Sequence, residues 1–198
     1  MARFVEVETQ VNANIKNVKK VDLDASQVGY GAVPVTLGAT AVATEAGDSL
    51  VHQTTLTLSA LAQSIADASS WASTKIYDFP AGRIVILGCK ASLAPTTTSA
   101  IATTIKSGVG GAVALGSAAT DSIALTGTEV DIAPSTVTTN STTINVAAAA
   151  VAPALAASAQ FAGPLSMYLN SSVAALDIDG DGTLTWSGTV KVTWINLG

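Results

Sequence analysis

The chain has 198 residues, 48% of them hydrophobic and only 12% charged, with a net charge of −5 and an isoelectric point near 4.6. An ordinary soluble domain carries about 25% charged residues, so little charge is available here to cover a free surface. An acidic, charge-poor chain argues against phosphate neutralisation, and hence nucleic-acid binding, as its main activity. This length suits one domain with a real core.

Residues 1–31 read as an N-terminal arm and 32–198 as a β-sandwich domain. The arm carries a short alternation (Phe4, Val5, Val7, Val11) and then Arg3, Lys16, Lys19 and Lys20, four of the nine basic residues of the chain. Gly29-Tyr30-Gly31 reads as a hinge. Both an extended arm reaching a neighbouring subunit and an edge strand of the same domain fit this pattern. The opening MARFVEVETQ lacks the apolar segment of a secretory signal, and the longest small-apolar run, Val146 to Ala157, is too short and contains Pro153. The expectation is synthesis in a reducing cytoplasm, which the single Cys89 suits.

Strands are expected at Val51 to Leu58, Arg83 to Leu93, Ala112 to Leu115, Ile123 to Thr126, Glu129 to Ile132, Thr142 to Ala147, Ala156 to Phe161 and Met167 to Asn170. Ile84-Val85-Ile86-Leu87 is apolar on both faces, which predicts a central strand or one covered on both sides. Leu58, Leu61, Ile65 and Ala68 recur at spacings of three and four and predict one short helix, with Ser59 as its cap. The strongest signal is the last. Leu184, Trp186, Val190, Val192 and Trp194 alternate with Thr183, Thr185, Ser187, Thr189, Lys191 and Thr193, which specifies a long strand with one buried face. Gly188 interrupts the apolar set and marks a bulge or a close backbone approach. Ala174, Leu176 and Ile178, ending at Asp179-Gly180-Asp181-Gly182, predict the partner arm of a β-hairpin. Many short strands and almost no helix predict an all-β fold, a sandwich or barrel.

Residues suited to chemistry are sparse. Asp177, Asp179 and Asp181 begin like a calcium loop, but the twelfth position is Gly188 where a bidentate glutamate is required, and the flanks alternate like strands. A turn is the favoured reading, with a partial cation site at the three aspartates left open. His52 is the only histidine, which excludes multi-histidine metal sites, and no serine sits in a nucleophile elbow. Cys89 lies in an apolar strand, where a thiol stays protonated. Lys106 to Gly111 places its lysine before the glycines, opposite to a phosphate loop, and reads as a surface loop. Trp186 and Trp194 belong to the apolar face and read as core, leaving Trp71 for any sugar contact. Asn140 and Asn170 head glycosylation patterns that carry no weight without export. No catalytic, metal-binding or cofactor-binding residue is assigned, and the chain is not expected to be an enzyme.

Two stretches, Lys75-Ile76-Tyr77-Asp78-Phe79-Pro80-Ala81-Gly82-Arg83-Ile84 and Thr183 to Gly198, resemble the small Ala/Thr-rich virion proteins of tailed bacteriophages, particularly those of cyanobacteria and other aquatic hosts. The resemblance covers about Lys75 to Gly198. It implies a capsid cement or decoration protein on the outer surface of the head, a jelly-roll-type sandwich that binds the major capsid protein and its own copies, with a homotrimer favoured. No cofactor, membrane or direct nucleic-acid contact is expected. The arm and the loops Ser107 to Gly111 and Thr136 to Ser141 are the expected contacts. A head fibre, tail or baseplate component is the nearest alternative, and a carbohydrate-binding adhesin module using Trp71 is the alternative from another class.

Overall fold

The computed structural model describes residues 30–47, 51–97, 111–138, 144–146, 164–173 and 180–197. In chain order the strands are β1 (Ala41–Gly47), β2 (Val51–Ile65), β3 (Trp71–Asp78), β4 (Ile84–Thr97), β5 (Gly111–Gly116), β6 (Ala133–Thr138), β7 (Ile144–Val146), β8 (Ser166–Val173) and β9 (Gly182–Asn196). One sheet has the order β1-β2-β9-β4-β7 and the other β3-β8-β5-β6, with every neighbouring pair antiparallel. Their inner faces enclose one apolar cluster, to which Leu56, Ile65, Leu93, Trp186 and Trp194 of the first sheet and Ile76, Leu115, Met167 and Leu169 of the second contribute. The fold is therefore an all-β sandwich, as the sequence predicts. Among the described residues no helix is long and apolar enough to cross a membrane.

β9 carries the alternation that the sequence announces. Leu184, Trp186, Val190, Val192 and Trp194 are all buried, and the residues between them lie at or near the surface. Gly188 occupies an inward position with φ +138°, and a Cβ there would lie 2.1 Å from the Ser92 carbonyl oxygen. Both readings hold, since the backbones approach closely at Gly188 and the register shift between Leu58 and Leu61 puts a bulge on β2 directly beside it. Leu58 on β2 and Leu93 on β4 flank this glycine in register.

The short helix expected from Leu58, Leu61, Ile65 and Ala68 does not form. These residues lie along β2 and the turn after it. Leu58 pairs with Gly188 and Leu61 with Trp186, so Ser59 and Ala60 together face the single residue Ser187. This is a β-bulge, and Ala60 has φ +55°. The extra residue moves the buried set from Leu56 and Leu58 to Leu61, Gln63 and Ile65. A strand with one bulge reproduces the three-then-four spacing of a helix.

Two further expectations need correction, and a third resolves between its alternatives. The predicted hairpin fails because both edges of β9 are taken, by β2 on one side and β4 on the other; residues 174–178 lie outside the described residues. Ile123 to Thr126 and Glu129 to Ile132 are not strands but part of an irregular connection with a 3-10 turn at Gly127–Glu129. There the Glu129 carboxylate accepts from the Thr126 and Asp121 backbone amides at 2.9 and 3.3 Å. A side chain satisfies the donors that a ladder would have used. Finally, of the two readings of Ile84 to Leu87 the central one holds, since β4 lies between β9 and β7, whereas Leu87 is 41% exposed, so the strand is not covered on both faces. Ala156 to Phe161 lies outside the described residues, and of Thr142 to Ala147 only β7 is described.

Residues 1–29 are also outside the described residues. Gly31 is packed, with a Cβ there meeting the Asp78 carbonyl oxygen at 2.2 Å. Ala32 bridges to Asp78 through backbone hydrogen bonds of 2.8 Å in both directions.

Candidate functional site

Polar side chains buried between the two sheets are bonded to one another and to the backbone, so the fold consumes them. Gln63, on β2, reaches across the sandwich. Its Nε2 donates to the Leu169 carbonyl (2.9 Å) and Thr74 Oγ1 (3.1 Å), while its Oε1 accepts from Ser171 Oγ (2.6 Å) and Trp186 Nε1 (2.8 Å). All four hydrogen-bonding positions of the amide are filled. Asn170, on β8, does the same for the loop after β5. Its Nδ2 donates to the Ala118 and Glu129 carbonyls, both at 2.9 Å, and its Oδ1 accepts from Ser73 Oγ (2.6 Å) and the Thr120 amide (3.0 Å). An asparagine so buried and so bonded is no glycan acceptor.

A third network ties the edge strand β1 to both sheets. Trp194 Nε1 donates to Thr54 Oγ1 (2.8 Å), Thr54 Oγ1 donates to Glu45 Oε2 (2.8 Å), and the Tyr77 hydroxyl donates to Glu45 Oε1. Burial raises the Glu45 carboxyl above its ordinary value of 4.5, against the lowering effect of the bonds from Tyr77 and Thr54. Burial, with the neighbouring Glu45, also holds the Tyr77 phenol well above its usual range. Asp131 is raised by burial too, against bonds from the Ser117 amide (2.7 Å) and hydroxyl (2.6 Å).

The candidate residues fall into place accordingly. His52 is buried and stacked on Trp194 with ring centroids 4.2 Å apart, and the Tyr30 ring meets it edge-on at 5.7 Å. Cys89 is buried, and desolvation pushes its thiol up to about 12, a value at which the nucleophilic thiolate is absent at neutral pH. Trp186 and Trp194 are completely buried, whereas Trp71 is half-buried at the start of the sheet-edge strand β3. Asp181 is exposed, and its Oδ1 accepts from the Asp67 amide at 2.9 Å. Among the described residues no group of three or more His, Cys, Asp or Glu is placed to hold a metal ion. Asp177, Asp179 and Lys106 to Gly110 lie outside the described residues.

The outer face of the five-stranded sheet is different in kind. Cross-strand register places its residues in rows: Val51, Ile195 and Val85 at one end, then Thr44, Thr55, Lys191 and Lys90, then Val42, Thr57, Thr189 and Ser92. No outward position of β1, β2, β9 or β4 carries a carboxylate. Lys90 and Lys191 are exposed and directly opposite each other, and among the described residues neither has an acidic partner; the ion pair found there joins Lys75 to Asp78 at 2.9 Å. Like charges directly opposite on a sheet destabilise it. Leu87 and Leu197, 41% and 52% exposed, extend the apolar end of this face. Sequence reasoning missed the face because the two lysines are 101 positions apart and meet only through the β4–β9 register. The signal that could have found it is the hydroxyl side of the β9 alternation, interrupted by Lys191.

Comparison of the chain with family models, with curated proteins and with solved structures yields no match.

Proposed function

We propose that the protein is a virion structural protein of the capsid cement or decoration type, which binds the head of a tailed phage and stabilises it by burying surface. The observation that carries this reading is the outer face of the five-stranded sheet. It is a registered array of hydroxyls and methyls with an apolar end, two unopposed lysines and no group suited to bond-making chemistry. Threonine and alanine surfaces cost little to desolvate, and a hydrogen-bonded sheet presents them to a partner with little reorganisation.

The topology supports the same reading. From β2 onward the chain passes between the sheets to give the orders β2-β9-β4-β7 and β3-β8-β5-β6, with β1 added outside β2. This division of eight strands supports reading the sandwich as a jelly roll, an architecture used by viral capsid and lectin domains. Fold alone does not assign a function, and the weight rests on the face. Repetition of a modest contact around a symmetric shell converts it into tight binding. The major capsid protein and further copies of this chain are the proposed partners, and the outer surface of the capsid is the proposed location.

The test is stoichiometric. Purified particles that contain this polypeptide should carry hundreds of copies of it, measured by quantitative mass spectrometry against the main shell protein. A handful of copies would turn the reading to a fibre, tail or baseplate part. Absence from particles, together with a specific glycan ligand lost on Trp71→Ala, would overturn it in favour of a carbohydrate-binding module.

A further inference from the structure

We propose that the outer face of the five-stranded sheet pairs with the same face of a second copy, about a twofold axis, so that Lys90 and Lys191 of each copy meet Asp67 and Asp181 of the other. This rests on the reading of that face as a docking surface and assigns to a second copy the part between the lysines and the aspartates, which leaves the apolar end at Val51, Val85 and Ile195 for the shell.

Three observations carry it. The first is charge. One end region of the face holds the two lysines, directly opposed and without a carboxylate among the described residues; just past its other end, after β2 and before β9, stand Asp67 and Asp181, both exposed and joined by the 2.9 Å bond from the Asp67 amide. The second is shape. Asp181 borders a recess of about 320 Å³ between the end of β2 and the start of β9, with Ser64, Ile65, Ala66, Gly182 and Thr183 as its other walls. A recess of mixed lining with a carboxylate at its rim can take the methylene stem and ammonium of a lysine.

The third is distance. Lys191 lies ten residues along β9 from Asp181, about 33 Å at the rise of a strand, so the two groups cannot meet within one molecule. A twofold axis lying in the face and crossing the strands midway, near Trp186, carries each lysine pair onto the opposite acidic corner. The contact is then made twice, as an isologous interface requires, and the like-charged pairs stay away from the axis. The outward residues near that midpoint are Ser187, Ala94, Thr185 and Ala62, which are small enough for two sheets to approach closely. Three to four strands over this length present about 550 Å² per copy, or about 1,100 Å² in the pair, just above the area that a specific interface needs. Such a dimer is modest in affinity and sensitive to salt.

Sedimentation velocity on the full chain tests this. The wild type should associate from about 20 to about 39 kDa with rising concentration in 50 mM sodium chloride, and about tenfold more weakly in 500 mM. Lys90→Glu/Lys191→Glu and Asp67→Lys/Asp181→Lys should each be monomeric at concentrations where the wild type pairs, and an equimolar mixture of the two should pair again. Lys90→Thr/Lys191→Thr, which copies the neighbouring hydroxyls, serves if a reversal impairs folding, and should weaken pairing about tenfold. A wild type that stays monomeric, a three-copy mass, pairing indifferent to these changes, or a mixture that fails to restore it would overturn the proposal. The copy number on particles is read separately, so a failure here leaves the shell-binding reading to its own test.

Discussion

The two faces of the five-stranded sheet are made from the same strands and follow opposite rules. On the inner face of β2 and β9, Gln63, Thr54, Trp186 and Trp194 are buried with their polar atoms matched to named partners. On the outer face, one residue away along each strand, Lys90 and Lys191 stand side by side without a carboxylate among the described residues. An interior is under pressure to satisfy each polar group because an unmatched one costs its full desolvation energy. A surface free of that pressure normally intersperses its charges. The departure from interspersion, in a chain with so few charges, is the basis of the proposal that a partner supplies the counter-charge on the outer face.

This contrast can be broken from the inside. Gln63→Leu keeps the volume but leaves Trp186 Nε1 and Ser171 Oγ buried without their partner. It should lower the unfolding free energy by about 3 kcal/mol, read as a fall in the urea midpoint at unchanged m-value. A loss below about 1 kcal/mol would mean that the amide is not an inter-sheet tie.

A smaller effect is expected from Glu45, whose folded value is raised by burial. A group raised on folding contributes stability that is fully present below its unfolded value and is lost as pH rises through the folded one. The urea midpoint should therefore fall as pH climbs above about 4.5, the ordinary value. Glu45→Gln should flatten that slope, leaving the part due to Asp131, which is raised in the same direction. An unchanged slope in the variant would remove Glu45 as its source.

The smallest effect should have the opposite sign. Lys191→Thr on the outer face relieves the like-charge pair and ought to stabilise the isolated monomer by about 0.5 kcal/mol, more at low salt than at high. A destabilising result would place the lysine stem among the supports of the fold and erase the contrast.

Legibility in the sequence followed the same division. β9 could be read because one face is apolar apart from Gly188 and the other is mostly hydroxyl, so the period of two survives over its whole length. β2 could be read only as far as Leu58, since the Ser59–Ala60 bulge shifts the phase and imitates a helix. The hairpin expected before β9 failed for a longer-range reason: alternation reveals that a strand has a buried face but not which strands flank it. The connection from β5 to β6 was misread because the Glu129 side chain bonds the Thr126 amide, which the sequence pattern assigns to a ladder. The core tryptophans and the inert Cys89 were legible from their neighbours. The lysine pair was not, since it exists only once β4 and β9 are in register.

Cys89 itself offers a clock. It is the sole thiol of the chain, sealed in the sandwich interior beside β9. An aromatic disulfide reagent can reach its sulfur only when the layers part, so in native buffer the rate of labelling measures how often that happens. If copies lock together through the outer face, crowding the sample should slow the colour change, and high salt should restore it.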